Sequence, residues 1–264
     1  MVAKKSLVEV RIDGERDLLL QPSAGSQPTD RSIQQQKMVV QAVVPALNEG
    51  NTIEMLLKDL NRYVDAVLLM DGHSKDETAE LAKNLGAEVI LQRGTGKGQA
   101  LREAFELAKG NIIVMLDADG SMRPEEIPLM VKAILDGADV VKCSRFLKGG
   151  GSEDISRLRK LGNSFFAWLV NLFWSSNYTD LCYGFAAFRS EALMKLTPLI
   201  RSERFELETE LFIKAKKLGL RVVELPSVEL MRRDGKSNLR TFRDGFGILR
   251  TIFRELRSVE EDKI

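Results

Sequence analysis

Two aspartates, Asp117 and Asp119, stand one alanine apart directly after the apolar run Ile112-Ile113-Val114-Met115-Leu116. A short apolar run of this kind reads as a strand buried on both faces of a parallel sheet. Side chains two apart on a strand point the same way. Both carboxylates are therefore expected to emerge together at the carboxyl end of a central strand, where open α/β sheets place their ligands. Carboxylate oxygens there suit a hard divalent cation and the phosphates it neutralises. Asp-x-Asp alone also occurs in many loops, so the neighbouring strand ends have to decide.

Those ends are polar. The run Val39 to Val44 leads into Pro45-Ala46-Leu47-Asn48-Glu49, and Val67 to Met70 leads into Asp71-Gly72-His73-Ser74-Lys75-Asp76. Asp71, ahead of a glycine turn, can accept hydrogen bonds from a nucleobase or ribose. Asp76 sits near a helix start, where a carboxylate is stabilising in any case. His73 is the only histidine and reads as a solvated turn residue without a catalytic role. Gly94-Thr95-Gly96-Lys97-Gly98 is neither a Walker loop, which needs Ser or Thr where Gly98 stands, nor a dinucleotide fingerprint, which needs glycine at Gln99. Small residues at a helix start still expose backbone N–H groups, and Lys97 can reach a phosphate.

The elements that must hold these residues follow from periodicity. Further apolar runs at Val89 to Leu91 and Val140 to Cys143 alternate with helical segments near 51–61, 76–85, 99–108 and 125–135. Such alternation predicts an α/β domain with a mostly parallel sheet and helices on both faces. The chain has 264 residues, 44% hydrophobic and 29% charged, enough for one large domain. Residues 1–37, rich in Gln, Ser and Pro, read as a poorly ordered arm, 38–240 as the domain, and 241–264 as a C-terminal amphipathic helix. A net charge of +1, with no clustered basic footprint, argues against a surface that coats nucleic acid. Two cysteines, Cys143 and Cys182, make no disulfide framework and point to a reducing, cytoplasmic compartment. Phe165 to Trp174, the longest apolar stretch, is about half of the roughly 20 residues that span a bilayer. The chain is thus expected to be soluble or peripheral.

In combination, Pro45-Ala-Leu-Asn48-Glu49, Asp71-Gly-x-Ser-x-Asp76, Lys97-Gly98, Asp117-Ala118-Asp119, and Ser144-Arg145-Phe146 with Gly149-Gly150-Gly151 resemble family 2 glycosyltransferases, and within them the dolichol-phosphate mannose synthases and related polyprenyl-phosphate sugar transferases. The resemblance spans Val39 to Asn238. It implies a Rossmann-like GT-A fold, a nucleotide diphosphate sugar as donor (GDP-mannose or a UDP-hexose), Mg²⁺ or Mn²⁺ as cofactor, and transfer with inversion. Asp117 and Asp119 would hold the metal. Pro45, Asn48, Glu49, Asp71, Lys97, Asp117 and Ala118 would line the donor site. Arg145, if not an ordinary surface arginine, would clamp the diphosphate, because a guanidinium offers a fork of donors to phosphate oxygens. Where the dolichol-phosphate enzymes often carry Gln two residues past the second Asp, this chain has Ser121, so more water is expected around the metal.

The second half should hold the acceptor. Thr179-Asp180-Leu-Cys182-Tyr-Gly184-Phe185 and Phe205-Glu-Leu-Glu208-Thr-Glu210-Leu resemble the family's next two segments. Glu210 matches the helix carboxylate best, and Glu208 stands where the dolichol-phosphate enzymes often have Gln. Either would be the base for a soluble hydroxyl acceptor, whereas a polyprenyl phosphate is already ionised and needs none. Arg232-Arg233-Asp-Gly-Lys-Ser237-Asn238 resembles a loop that closes over the diphosphate, with Arg232 favoured over Arg233 by register and Ser237 beside it. The last helix carries a stripe of Phe242, Phe246, Leu249, Phe253 and Leu256, with arginines elsewhere. It can lie on a membrane, pack on the domain, or join a homo-oligomer. The expected protein is a hexosyltransferase working peripherally at the cytoplasmic membrane face. A non-catalytic nucleotide-sugar binding subunit is the less favoured alternative.

Overall fold

Val40, Ala42 and Val44 on one side of the first strand and Val43 on the other are all buried, so this strand carries a helical layer on each face. The computed structural model describes residues 38–234 and 240–261, with side chains as far as residue 258. In chain order the strands are β1 (Val40–Ala46), β2 (Ala66–Asp71), β3 (Glu88–Leu91), β4 (Ile112–Met115), β5 (Val140–Ser144), β6 (Gly151–Ser152), β7 (Ala186–Arg189), β8 (Val222–Pro226) and β9 (Val228–Glu229). The helices are α1 (Gly50–Leu60), α2 (Thr78–Asn84), α3 (Lys97–Leu107), α4 (Ile127–Leu135), α5 (Arg157–Trp174), α6 (Ser190–Leu196), α7 (Glu206–Lys217) and α8 (Thr241–Glu261).

The main sheet runs β3-β2-β1-β4-β7-β5-β8, parallel except for β7, which is antiparallel to both β4 and β5. Short β6 and β9 pair beside it in parallel. This is the GT-A fold. Ala42, Val44, Val114, Val141 and Ala187 pack under α1, α2 and α4. Val43, Ile113, Met115, Val140, Ala186 and Phe188 pack under α3, α5, α6, α7 and α8. The expected strands and helices up to residue 144 all form. Strand β7 was not anticipated, because its four residues AAFR are too short to show a period, and its place in the sheet comes from long-range pairing.

Asp76 acts as the helix-start carboxylate expected of it, and does so twice. One oxygen accepts the Thr78 backbone N–H at 3.1 Å, and the other accepts that of Gly50 at 2.9 Å, fastening α1 and α2 together. Residues 1–37 and Ser237 lie outside the described residues.

Candidate functional site

Strand β4 ends at Met115, and Ala118-Asp119 lie in a turn, so the two aspartates do not continue a strand as the sequence suggested. They separate to different partners. Asp117, following the face of Ile113 and Met115, meets Lys97 at the start of α3, with Nζ 2.7 Å from Oδ1. Lys97 also reaches Glu208 of α7 at 2.6 Å. Asp119 accepts the Ser121 hydroxyl at 2.7 Å and pairs with Arg232 at 3.0 Å. Burial opposes the charge on Lys97, but Asp117 and Glu208 more than offset it and hold the ammonium form. The Glu208 carboxyl is pushed above its ordinary range by burial, against the pull of Lys97.

Around this cluster two cavities meet. One, of about 440 Å³, runs from Pro45, Leu47 and Glu49 at the end of β1 past Gly72 and Thr95. The other, of about 720 Å³, runs between α5 and α8 and is mainly apolar, walled by Leu158, Phe165, Phe166, Phe242 and Leu249. Lys97, Asp117, Asp119, Phe205, Arg232 and Asp244 border both.

Glycines allow this closeness. A Cβ on Gly98 would stand 2.5 Å from the Glu203 backbone, so only glycine lets the start of α3 receive residues 203–204 and turn Arg204 into the first cavity. A Cβ on Gly184 would come within 2.9 Å of both Lys97 and Glu208. Arg204 and Arg240 border the first cavity without having been marked in the sequence, and Arg243 was seen only as part of an amphipathic helix. No local signal brings residues so distant in the chain to one wall.

Of the residues expected at a donor, Pro45, Glu49, Lys97, Asp117, Ala118 and Arg232 border the first cavity. Glu49 is pushed up to about 7 by burial and by the nearby Asp119. Asn48 and Asp71 do not border it. Asn48, at φ 54°, accepts the Lys75 backbone N–H at 2.8 Å, and Asp71 accepts that of Ser74 at 3.2 Å, so both shape the 71–76 turn. Arg232, not Arg233, faces the cavities.

Two expectations need correcting. Arg145 is not a free phosphate clamp: Nε and Nη2 bind Asp180 at 2.7 and 3.0 Å, Nη1 binds Glu229 at 3.1 Å, and Nη2 also donates to the Cys182 carbonyl at 3.1 Å. Its guanidinium lies on the Tyr183 ring, 4.7 Å from the centroid. Nearby Lys142, wholly buried, binds Glu224 at 3.0 Å and the Asp180 carbonyl, fixing the same segment from beneath. Glu210 is not placed as a base either. It is fully buried on the other side of α7, accepts the Ser202 backbone N–H at 2.7 Å, and pairs with Arg254 at 2.9 Å. Glu208 is the α7 carboxylate that faces the cavities.

No group of three His, Cys, Asp or Glu is set to hold a metal among the described residues. Asp117 and Asp119 are an all-oxygen pair of the kind Mg²⁺ or Mn²⁺ takes. A cation bound there would draw its other ligands from substrate oxygens and water.

Residues 41–197 match the model of the glycosyl transferase family 2. The chain is a family 2 glycosyltransferase. It is 32% identical over 215 residues to a dolichyl-phosphate hexose transferase of Haloferax volcanii, covering 80% of this chain and 91% of that protein. It is 30% identical over 235 residues to the dolichol-phosphate mannosyltransferase of Pyrococcus furiosus, covering 84% and 63%. Among solved structures, glucosyl-3-phosphoglycerate synthase of Mycobacterium tuberculosis, crystallised with Mn²⁺, UDP and glucosyl-3-phosphoglycerate, superposes with a TM-score of 0.67 at 23% identity, covering 83% of this chain and 80% of that one. Among the described residues of this glycosyltransferase, no helix is long and apolar enough to cross a membrane.

Proposed function

We propose that this glycosyltransferase moves a hexose from a nucleoside diphosphate sugar to a polyprenyl phosphate, with inversion. The observation that carries the reading is that a cavity lined by several charged side chains and the apolar groove meet at Lys97, Asp117, Asp119 and Arg232. A nucleotide sugar fits the first, and a prenyl chain ending in phosphate fits the second. Two relatives named for dolichyl phosphate support it.

In this reading an acceptor phosphate oxygen attacks the anomeric carbon from the groove side. The bond to the donor diphosphate breaks, and its electron pair leaves on the nucleoside diphosphate. Arg232, Arg204 and Arg240 supply positive charge along the donor cavity. Lys97, poised between the cavities, draws in the acceptor phosphate and stays protonated throughout. Held by Asp117 and Asp119, a divalent cation would take up charge on the departing diphosphate. Arg145, which lines the groove with its donors held by Asp180, Glu229 and the Cys182 carbonyl, positions the 180–184 segment.

One observation favours a second reading. Glu208 brings a carboxylate to the groove with its pKa raised, as the base for a hydroxyl acceptor would require. The two are tested together by offering GDP- and UDP-sugars, with Mg²⁺ or Mn²⁺, alongside detergent-solubilised polyprenyl phosphate. A sugar-linked lipid is the expected product. Donor turnover with no lipid product, and product on soluble hydroxyl compounds instead, would overturn the first reading.

A further inference from the structure

One face of α5 carries Leu158, Leu161, Phe165, Trp168 and Leu172 at alternating three- and four-residue spacing, and Trp168 and Leu172 are 57% and 59% exposed. A face of this spacing is normally covered. Beside it α8 exposes Phe242 and Phe246, at 82% and 70%, and Phe253, whose ring lies 6.5 Å from that of Phe173 on α5. Arg243, Arg250 and Arg257 are exposed along the edge of this aromatic stripe, seven residues apart and so on one line of the helix. Among the described side chains, α5 carries no carboxylate, Asp244 and Glu255 of α8 are buried on its inner side, and of the three arginines Arg243 alone reaches one, Asp244 at 3.9 Å. A second copy of the chain would set arginine against arginine. An anionic bilayer offers both an apolar layer for the rings and phosphates for the guanidinium groups.

The same helix builds the donor site. Arg240, Arg243 and Asp244, at the start of α8, border the first cavity. About three turns on, Arg254 holds Glu210 of α7 at 2.9 Å and Ser202, in the segment that leads to Arg204 and Phe205, at 3.3 Å. Resting on the reading of a lipid-linked acceptor, we propose that α5 and α8 dock on an anionic bilayer surface and that docking fixes α8 where it completes the donor cavity. Bilayer binding and donor binding then strengthen each other by the same factor, because coupling between two sites is reciprocal.

The test uses the full chain with UDP or GDP and Mn²⁺, and phosphatidylcholine vesicles with or without phosphatidylglycerol, all free of polyprenyl phosphate. Nucleotide affinity is measured by calorimetry and vesicle binding by cosedimentation. With phosphatidylglycerol present, nucleotide should bind about fivefold tighter or more, and saturating nucleotide should tighten vesicle binding equally. The double variant Trp168→Gln, Leu172→Gln should lose vesicle binding and the gain in affinity, yet bind nucleotide normally in vesicle-free buffer, which also shows that it is folded. Arg250→Glu with Arg257→Glu should weaken binding to phosphatidylglycerol vesicles. Nucleotide affinity indifferent to vesicles would overturn the coupling. A dimer dispersed by the double variant, with no vesicle binding, would assign the face to a second copy. Since no acceptor is present, failure to glycosylate polyprenyl phosphate would strike the acceptor reading alone.

Discussion

Replacing Glu208 by Gln distinguishes the two acceptor chemistries. The carboxylate lies 2.6 Å from Lys97 Nζ, and the two side chains are only 6% and 15% exposed. Gln keeps the shape and an oxygen acceptor for the ammonium, and Lys97 retains Asp117 at 2.7 Å. The loss is therefore one charge-assisted hydrogen bond weakened to a neutral one, about 1–2 kcal/mol of stability, and the variant should fold. If the acceptor is a phosphate, no proton need be removed, and transfer should stay within about tenfold, or roughly 1.4 kcal/mol in the barrier. Acceptor KM should stay level or fall, because Lys97 is then less neutralised. A hydroxyl acceptor would lose its base, and with it about 10²- to 10⁴-fold in rate. The assay is transfer to polyprenyl phosphate in detergent, run beside donor affinity by calorimetry. A loss of about a hundredfold or more with donor affinity intact would refute the reasoning, because a phosphate acceptor gives Glu208 no proton to remove.

Three further outcomes follow from the geometry. Asp119→Asn removes an anionic ligand and the partner of Arg232; kcat should fall about 10²-fold or more while thermal unfolding changes little, and a variant as active as the wild type in EDTA would refute metal dependence. Arg145→Met strips a buried carboxylate of its partner, which should cost about 3–5 kcal/mol in chemical denaturation. Burial works against the Asp180 charge, but Arg145, with help from Lys142, outweighs it and holds that pKa low; without Arg145 the folded-state pKa rises, so the deficit should be largest near neutral pH and narrow as acidification protonates Asp180, and a deficit that widened would refute this account. Glu210→Gln should lower the melting temperature through the 201–202 backbone and Arg254, by about 2 kcal/mol, while kcat/KM of the folded protein stays within about tenfold, and a larger fall would restore Glu210 to the reaction.

The sequence by itself determined the strand-helix alternation up to residue 144, because buried parallel strands must be apolar runs and their helices must carry one apolar stripe. It also determined the family, because Asp117-Ala118-Asp119 and the other short motifs sit at chain positions that local turns alone can place. Tertiary structure decided the roles of the long charged side chains. Nothing local says that the five N–H groups of Arg145 are taken by Asp180, Glu229 and a carbonyl far along the chain. Glu208 and Glu210, two residues apart, face opposite ways because α7 rotates them by about 200°, so one meets Lys97 in the groove and the other is buried against Arg254. Spacing fixes which residues share a face of an element. Which face meets the cavity depends on how that element packs, and for α7 and α8 that packing is set by their contacts with each other and with α5, which no local pattern specifies.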